Sequence, residues 1–229
     1  MSKAKAQNVP VISYDRLVTN ADVDYYISFD NVEVGKLQAR SLVAKLKADG
    51  QGSGTIVMID GSPTDNNAKL FKQGAHSVLG TSGLKIGKEY DTPDWSPDQA
   101  QTEMEQAITA LGKNGFVGVY AANDGTAGGA IAAMKSQGID PSTRPTTGQD
   151  AELAVDLVNG NRSAADALAK DKVNNGRKDV ASIILTPVAV TKANARQTIG
   201  TMLSDGFLTA SSICSGPAAA VCRQLGLAQ

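Results

Sequence analysis

The stretch TIVMIDGSPTDNN, residues 55–67, decides the fold, because an uninterrupted apolar run passes directly into a polar loop. A short apolar run of this kind predicts a strand of a parallel sheet that is buried on both faces. Polar residues follow or end apolar runs in the same way at residues 9–16, 28–31, 121–124 and 148–150. In open α/β sheets, small polar ligands bind where such strand ends converge. The pattern therefore predicts a receptor for a hydroxyl-rich small molecule.

Alternating strands and helices extend from this stretch in both directions. Upstream, VPVISYD and DYYISFD predict strands, and Asn31 is expected to cap a helix over Val32–Lys47. Downstream, helices are predicted over about residues 68–79 and 97–111 and after residue 123, with LKIGKEYD and GFVGVYAAND as strands. The late strand VASIILTP is expected to return to the sheet begun by VPVISYD. This alternation predicts an α/β fold with parallel sheets flanked by helices.

Composition and motifs exclude several classes of protein. With 22 Lys and Arg against 23 Asp and Glu, the chain has no basic field for nucleic acid. No apolar run approaches the roughly 20 residues that span a bilayer, and the first ten residues lack the apolar core of a secretory signal peptide. The chain has one histidine and no GxSxG, P-loop or GxGxxG motif. We therefore expect a non-enzymatic protein without catalytic residues.

The two cysteines, Cys214 and Cys222, are separated by a segment that contains Gly216 and Pro217. A turn there brings their Cα atoms within the roughly 7 Å that a disulfide needs, and a bridge indicates an oxidising compartment. The alternative is a pair of buried free thiols. Two sulfurs without a neighbouring ligand cannot complete a metal site, and the loop DGSPTDN lacks the spacing of a calcium loop. We therefore expect neither metal nor cofactor.

Seven segments together give a specific resemblance to the sugar-binding proteins of ABC importers, and among these to the xylose-binding group of the ribose-type periplasmic binding proteins. In chain order they are VPVISYDRL, DVDYYISFDNVEVG, IDGSPTDNNA, AANDGTAGGAI, TGQDAE, ILTPVAVT and DGFLTASSIC. The resemblance implies a two-lobe fold that closes on one xylose-like monosaccharide, a transporter permease as partner, and a periplasmic or cell-surface location. The alternative function is a sugar-sensing module of a regulator or chemoreceptor pathway.

The resemblance also assigns site residues, one by one, to this sequence. The first lobe supplies Asp15 and Arg16, and the other predicted sugar-binding residues are Asn66, Asn67, Trp95, Asn123 and Asp150. Each has a structural alternative. The pair Asp15 and Arg16 is also typical of a surface turn, Asn123 of a helix N-cap, residues 65–67 of Asx turns, and Trp95 of packing over a sheet edge.

The lobe bounds follow from the same resemblance. Residues 1–29 and 188–229 are predicted to form a partial first lobe and residues 30–187 the second, with hinge crossovers near 28–31 and 185–188. Compared with the family pattern, the opening first-lobe segments and a second-lobe segment after Asp150 are missing, so the first lobe is expected to be incomplete. We therefore expect exposed sheet edges, marginal stability and self-association through those edges.

Overall fold

The computed structural model describes residues 1–149, 169–189, 194–204, 209–214 and 218–227. They fall into two units, Met1–Pro187 and Val188–Gln229. The elements of the first unit are α1 (Ser2–Ala6), β1 (Ile12–Tyr14), β2 (Tyr25–Phe29), α2 (Asn31–Ala48), β3 (Thr55–Asp60), α3 (Asn66–Leu79), β4 (Lys85–Asp91), a 3₁₀ turn (Pro93–Trp95), α4 (Pro97–Leu111), β5 (Gly118–Ala121), α5 (Asp124–Ser136), a second 3₁₀ turn (Pro141–Thr143), β6 (Asp171–Asn174) and β7 (Asp179–Leu185). Those described in the second unit are α6 (Ala195–Ser204), α7 (Ala210–Ile213) and α8 (Ala218–Leu225).

The run TIVMID forms β3, the centre of a three-stranded parallel sheet with the order β4-β3-β5. Alternate side chains of β3 face opposite sides of this sheet. Ile56 and Met58 pack with residues of α2 and α3, whereas Val57 and Ile59 pack with residues of α4 and α5. Because helices cover both faces, the strand needs no polar side. The predicted α/β arrangement of parallel strands flanked by helices is confirmed.

A four-stranded sheet has the order β1-β2-β7-β6, in which β6 alone runs antiparallel to its neighbour. The expected return of VASIILTP is confirmed, since β7 pairs with β2 and Ile183 lies opposite Ile27. Residues 171–185 thus share a sheet with β1 and β2. The lobe bounds remain a prediction; they assign residues 171–185 to the second lobe but β1 and β2 to the first. On the outer strand β1, Ile12 and Tyr14 are 42% and 47% exposed.

Helices α2 and α3 approach each other closely because each presents a glycine to the backbone of the other. A Cβ atom on Gly35 would lie 1.9 Å from the carbonyl oxygen of Phe71. A Cβ atom on Gly74 would lie 2.0 Å from the carbonyl oxygen of Val32. Any side chain at either position would have to push the helices apart, so this contact fixes where α3 begins relative to α2.

Two helices begin earlier than the sequence predicted. The N-cap of α2 is Asp30, whose Oδ1 accepts a hydrogen bond from the Glu33 backbone N–H at 2.9 Å, and Asn31 is the first helical residue. A carboxylate at this end also complements the helix dipole. The N-cap of α3 is Asp65, whose Oδ1 accepts from the Asn67 N–H at 2.9 Å. Asn31 and Asn67 therefore lie within the first turn of their helices and do not cap them. Both residues are buried.

In the second unit, Cys214 and Cys222 form the predicted disulfide, with 5.6 Å between their Cα atoms. The bridge joins the residue that follows α7 to the middle of α8, and Cys222 is buried. Within the described residues, none of the helices combines the length and the apolar character needed to cross a bilayer.

Replacing both cysteines by serine should loosen α8. For a sequence separation of 8 residues, the chain-entropy model gives a loss of about 2–3 kcal/mol. Amide hydrogen exchange in α8 should therefore become roughly 30- to 160-fold faster. The amides of α4, which belongs to the other unit, serve as the internal control and should keep their rates. Unchanged exchange in α8 would show that the bridge does not stabilise this helix.

Candidate functional site

Strand ends from both sheets of the first unit surround a cavity of about 240 Å³. The four-stranded sheet contributes residues at the ends of β1 and β2, and the three-stranded sheet contributes the loops after β3, β4 and β5. The lining residues are Asp15, Arg16, Phe29, Asp65, Asn67, Phe71, Trp95, Asn123 and Gln149. The carboxyl ends of parallel strands thus converge on one crevice, as the sequence predicted.

Most of the predicted site residues meet at this cavity. Those that line it are Asp15, Arg16, Asn67, Trp95 and Asn123. Asn66 does not line it, because it precedes Asn67 in α3 and consecutive helical residues point about 100° apart. Asp150 lies outside the described residues, and its neighbour Gln149 lines the cavity. The sugar-binding roles of these side chains remain predictions.

Asp65 connects the two sides of the cavity. Its carboxylate is 3% exposed, and its Oδ2 forms an ion pair with Arg16 Nε at 2.7 Å. The same oxygen accepts a hydrogen bond from Trp95 Nε1 at 3.0 Å. Because Oδ1 caps α3 through the Asn67 N–H, one buried carboxylate holds three groups. The sequence indicated only an Asx-turn role for Asp65. Its position in the polar loop after β3 was the feature that could have indicated a role in the site.

Trp95 is held in a strained loop. Asp94 and Trp95 have φ angles of 54° and 57°, in the left-handed region that non-glycine residues rarely occupy. The indole lies directly on Gly61, where a Cβ atom would be 2.1 Å from the ring, and it meets Phe71 edge-on with 6.2 Å between ring centroids. Trp95 therefore packs on Gly61 and Phe71 and also lines the cavity, whereas its structural alternative was packing over a sheet edge. Phe29 and Phe71 were missed because aromatic residues on a strand and an apolar helix face are typical of the core.

Asp15 also has a left-handed backbone, with a φ of 62°. Its carbonyl oxygen accepts hydrogen bonds from Asn67 Nδ2 at 3.1 Å and from the Tyr26 hydroxyl at 3.2 Å. Its carboxylate Oδ1 accepts from Asn67 Nδ2 at 3.2 Å. Burial, and then the neighbouring Asp65 carboxylate, raise the pKa of Asp15, and the Arg16 guanidinium opposes them. A network of side chains thus holds Asp15 against both steric strain and charge repulsion.

Asn123 has the N-cap role that was its structural alternative. Its Oδ1 accepts from the Thr126 N–H at 2.8 Å, and the Thr126 hydroxyl accepts from the Asn123 N–H at 3.2 Å. This capping box closes the first turn of α5. The carbonyl of Gln149 accepts from the Asp124 N–H at 3.1 Å, which brings the segment before residue 150 to the same helix start.

A buried charged group lies beside this site at the end of β3. Asp60 is 1% exposed, and neither of its carboxylate oxygens has a hydrogen bond of acceptable geometry to a described residue. The Lys72 ammonium lies 3.2 Å from Asp60 Oδ2, and it also contacts Glu89 at 2.8 Å and Asp91 at 2.9 Å. Burial raises the pKa of Asp60 to about 7, with Glu89 adding to the rise and Lys72 opposing it.

Replacing Asp60 by asparagine should stabilise the protein at pH 8. Because the folded-state pKa of about 7 exceeds the ordinary value of 3.8, the folded chain binds more protons between these values. Stability is then lost as the pH rises through this window. The neutral amide avoids that loss, so the melting temperature should rise by about 5 °C at pH 8, corresponding to roughly 2 kcal/mol, and by less at pH 5. Asp91→Asn, which removes an exposed partner of the same Lys72, is the control and should change little. A lower melting temperature for Asp60→Asn at pH 8 would contradict this account.

Comparisons with known proteins agree with this architecture. Residues 1–159 match the family model described as a periplasmic binding protein domain. The chain is 38% identical to the D-xylose-binding periplasmic protein of Haemophilus influenzae, over 93% of this chain and 70% of that protein. It is 37% identical to the protein of the same name from Escherichia coli, over 90% and 68% of the two chains.

A solved structure extends the likeness to the fold. The crystal structure of an ABC transporter solute binding protein from Clostridium phytofermentans, with bound β-D-glucose, superposes with a TM-score of 0.72 at 26% identity. The match covers 91% of this chain and 76% of that one. Since the family model spans more than half of the sequence and the relatives cover most of it, the chain belongs to the periplasmic binding protein domain family.

Proposed function

We propose that this protein captures a neutral, xylose-like monosaccharide in the cavity as the solute-binding component of a carbohydrate ABC transporter. The observation that carries the proposal is Asp65, which joins Arg16 from one sheet and Trp95 from the other at a single buried carboxylate. Two relatives named as D-xylose-binding proteins and the solved structure with bound glucose support the same ligand class. The expectation of a non-enzymatic protein is confirmed by these relatives, which are named as binding proteins.

The polar groups of the cavity match the chemistry of sugar hydroxyls. A hydroxyl both donates and accepts, and the cavity offers accepting carboxylates, Asp15 and Asp65, beside the donating guanidinium of Arg16. Hydrogen bonds with an ionised partner are roughly twice as strong as neutral ones. A sugar that pairs with each group gains affinity, and an analogue that lacks one hydroxyl leaves a buried group unpaired at about 1–3 kcal/mol.

The apolar lining suits the other face of a sugar ring. Phe29, Phe71 and Trp95 line the cavity together, so C–H groups of a pyranose can lie against aromatic surface while its hydroxyls meet the polar side. The cavity volume of about 240 Å³ falls below the range of roughly 300–1,000 Å³ that holds drug-sized ligands. A single sugar ring is therefore the favoured occupant.

Charge favours a neutral ligand over an anionic one. Among the described lining residues, Arg16 carries the one positive side-chain charge, and it is already paired with Asp65. Asp15 adds a second carboxylate, so a sugar phosphate or a sugar acid would meet net negative charge.

The cellular role follows from the relatives. Their names place them in the periplasm, and we extend to this chain a periplasmic or cell-surface location and a permease partner. The disulfide supports an oxidising compartment. Among the described strands, β1 is the outer one of its sheet and exposes Ile12. We also propose that this edge can pair with a second copy of the chain.

Titration with D-xylose tests the sugar proposal, with the fluorescence of Trp95, the single tryptophan, and calorimetry as readouts. Saturable binding of D-xylose or another aldose, without response to xylitol or glucuronate, is expected. Asn67→Ala should weaken binding by about tenfold or more because it removes the donor to Asp15. Asn66→Ala is the matched control and should bind like the unaltered protein, since Asn66 lies outside the cavity lining. Absence of any pentose or hexose response at millimolar concentration would refute the proposal.

A further inference from the structure

We infer that Asn31, at the start of α2, is a positioning residue for the proposed sugar site and acts through Asn67 to hold Asp15. The inference rests on the proposed function, because it concerns the same cavity. Asn31 is not among the residues that line the cavity. From the sequence it was expected to cap a helix and to lie in a hinge crossover near residues 28–31. Its position is distinctive, since it lies where the chain leaves β2 of one sheet and enters α2, which packs on the other.

The side chain of Asn31 is buried and makes specific contacts. It is 4% exposed. Its Nδ2 donates to Asn67 Oδ1 at 3.2 Å and to the Ser28 hydroxyl at 3.3 Å. Asn67 is also 4% exposed, and its own Nδ2 donates to Asp15. Three elements, the start of α2, the start of α3 and the residue after β1, are thus joined by a directed chain of hydrogen bonds.

Donor and acceptor counting fixes the direction of this chain. An amide group has a donating nitrogen and an accepting oxygen that differ little in shape, so their partners determine which way the group points. A reversed Asn67 amide would place its nitrogen against the Nδ2 of Asn31 and its oxygen against the carbonyl and carboxylate of Asp15. Both contacts would then be repulsive. Asn31 therefore contributes to the preference that keeps the Asn67 donor directed at Asp15.

Asp15 needs this support more than an ordinary surface carboxylate does. Its left-handed φ of 62° is unfavourable for a residue with a side chain, and the Asp65 carboxylate repels it. If the Asn67 donor turns away, nothing in the Asn31–Asn67 chain opposes rotation of the Asp15 carboxylate. A sugar would then have to order that carboxylate on binding, and its affinity would fall.

The test exchanges the donor of Asn31 for an acceptor. Asn31→Asp keeps the size of the side chain and suits the first turn of a helix, but at neutral pH it presents oxygen to Asn67 Oδ1. Asn31→Ala removes the donor without burying a charge and serves if the first variant folds poorly. The control is Gln38→Leu, which removes another buried amide of α2 whose Nε2 donates to the carbonyls of Ala121 and Ala122.

Three readouts are compared in each variant. In the absence of sugar, NMR follows the side-chain amide pair of Asn67 and the titration of the Asp15 carboxyl. With sugar, calorimetry gives the dissociation constant for D-xylose. In both Asn31 variants, the Asn67 resonances should move, the pKa of Asp15 should rise, and D-xylose should bind about tenfold or more weakly. Acidification that protonates the introduced carboxyl of Asn31→Asp should return the Asn67 resonances toward their original positions. Gln38→Leu should lower stability and leave Asn67 and Asp15 unchanged.

A double-mutant cycle separates action through Asn67 from a general structural effect. In the Asn67→Ala background, Asn31→Asp should add no further loss of D-xylose affinity. A full further loss would overturn the inference, as would unchanged Asn67 resonances in both Asn31 variants. If the unaltered protein binds no sugar, the proposed function fails, while the two NMR readouts still decide whether Asn31 positions Asn67 and Asp15.

Discussion

D-Xylose is expected to bind roughly 100- to 1,000-fold more weakly after replacement of Asp65 by asparagine. The change keeps the shape of the side chain and leaves an oxygen to cap α3. It removes the charge that pairs with Arg16 and the acceptor that orients Trp95. Hydrogen bonds to charged groups contribute about 1.5–3 kcal/mol each, and the loss of two of them in a buried site supports an effect of this size.

The measurement is calorimetric titration with D-xylose, accompanied by the fluorescence of Trp95. The emission of the ligand-free variant should already differ from that of the unaltered protein, because the indole loses its carboxylate partner. Asp140→Asn is the matched control. It removes one negative charge from another capping aspartate, whose Oδ1 accepts from the Ser142 N–H at 2.9 Å and which is fully exposed. Equal affinities for the two variants would mean that Asp65 only caps its helix.

Replacing Gly35 by alanine should lower the free energy of unfolding by about 3 kcal/mol or more. The added Cβ atom would lie 1.9 Å from the carbonyl oxygen of Phe71, so the backbone of α3 must move away from α2. The better helix propensity of alanine offsets only about 1 kcal/mol. Because α3 begins with the residues that contact Arg16 and Asp15, sugar affinity should fall as well.

Urea denaturation measures the effect, and Gly128→Ala is the control. Gly128 also lies within a helix, α5, but a Cβ atom there would have no neighbour within 4 Å. That substitution should therefore stabilise the protein by about 0.5–1 kcal/mol. If both substitutions stabilise, the close approach of α2 and α3 does not limit the stability of the fold.

The sheets were predictable because their signal is local and strong. TIVMID needs no information from elsewhere in the chain to predict a buried parallel strand, and the polar residues after it could only lie at the ligand-binding end of a sheet. The same rule predicted that Asp15, Arg16 and Asn123, which lie in polar segments at strand ends, would be near the cavity. The disulfide was also local, since Cys214 and Cys222 are only 8 positions apart in the sequence.

The remaining features depend on geometry that sequence order does not carry. Asn66 and Asn67 are identical residues at adjacent positions, so the sequence does not distinguish them. The geometry of the first turn of α3 determines which one faces the cavity. From the sequence, Asp65 was interpreted only as a turn-forming residue. Its contacts with Arg16 and Trp95 could not be predicted, because these partners lie 49 and 30 positions away in the sequence (65 − 16 = 49; 95 − 65 = 30). Asn31 was interpreted as a helix cap, because its hydrogen bond to Asn67, 36 positions away, is not visible in the local sequence.

The pairing of β2 with β7 has a consequence for how the chain is made. Asn175, in the turn between β6 and β7, bonds the carbonyl of Val18, which lies 157 positions earlier. At a synthesis rate of roughly 5–20 residues per second, β1 and β2 must wait about 8–30 s for these partners to leave the ribosome. All residues of the three-stranded sheet and its helices have been synthesised by then, whereas β1 and β2 still lack their partner β7. A holding chaperone that covers residues 9–29 during this interval would protect the nascent chain from premature association.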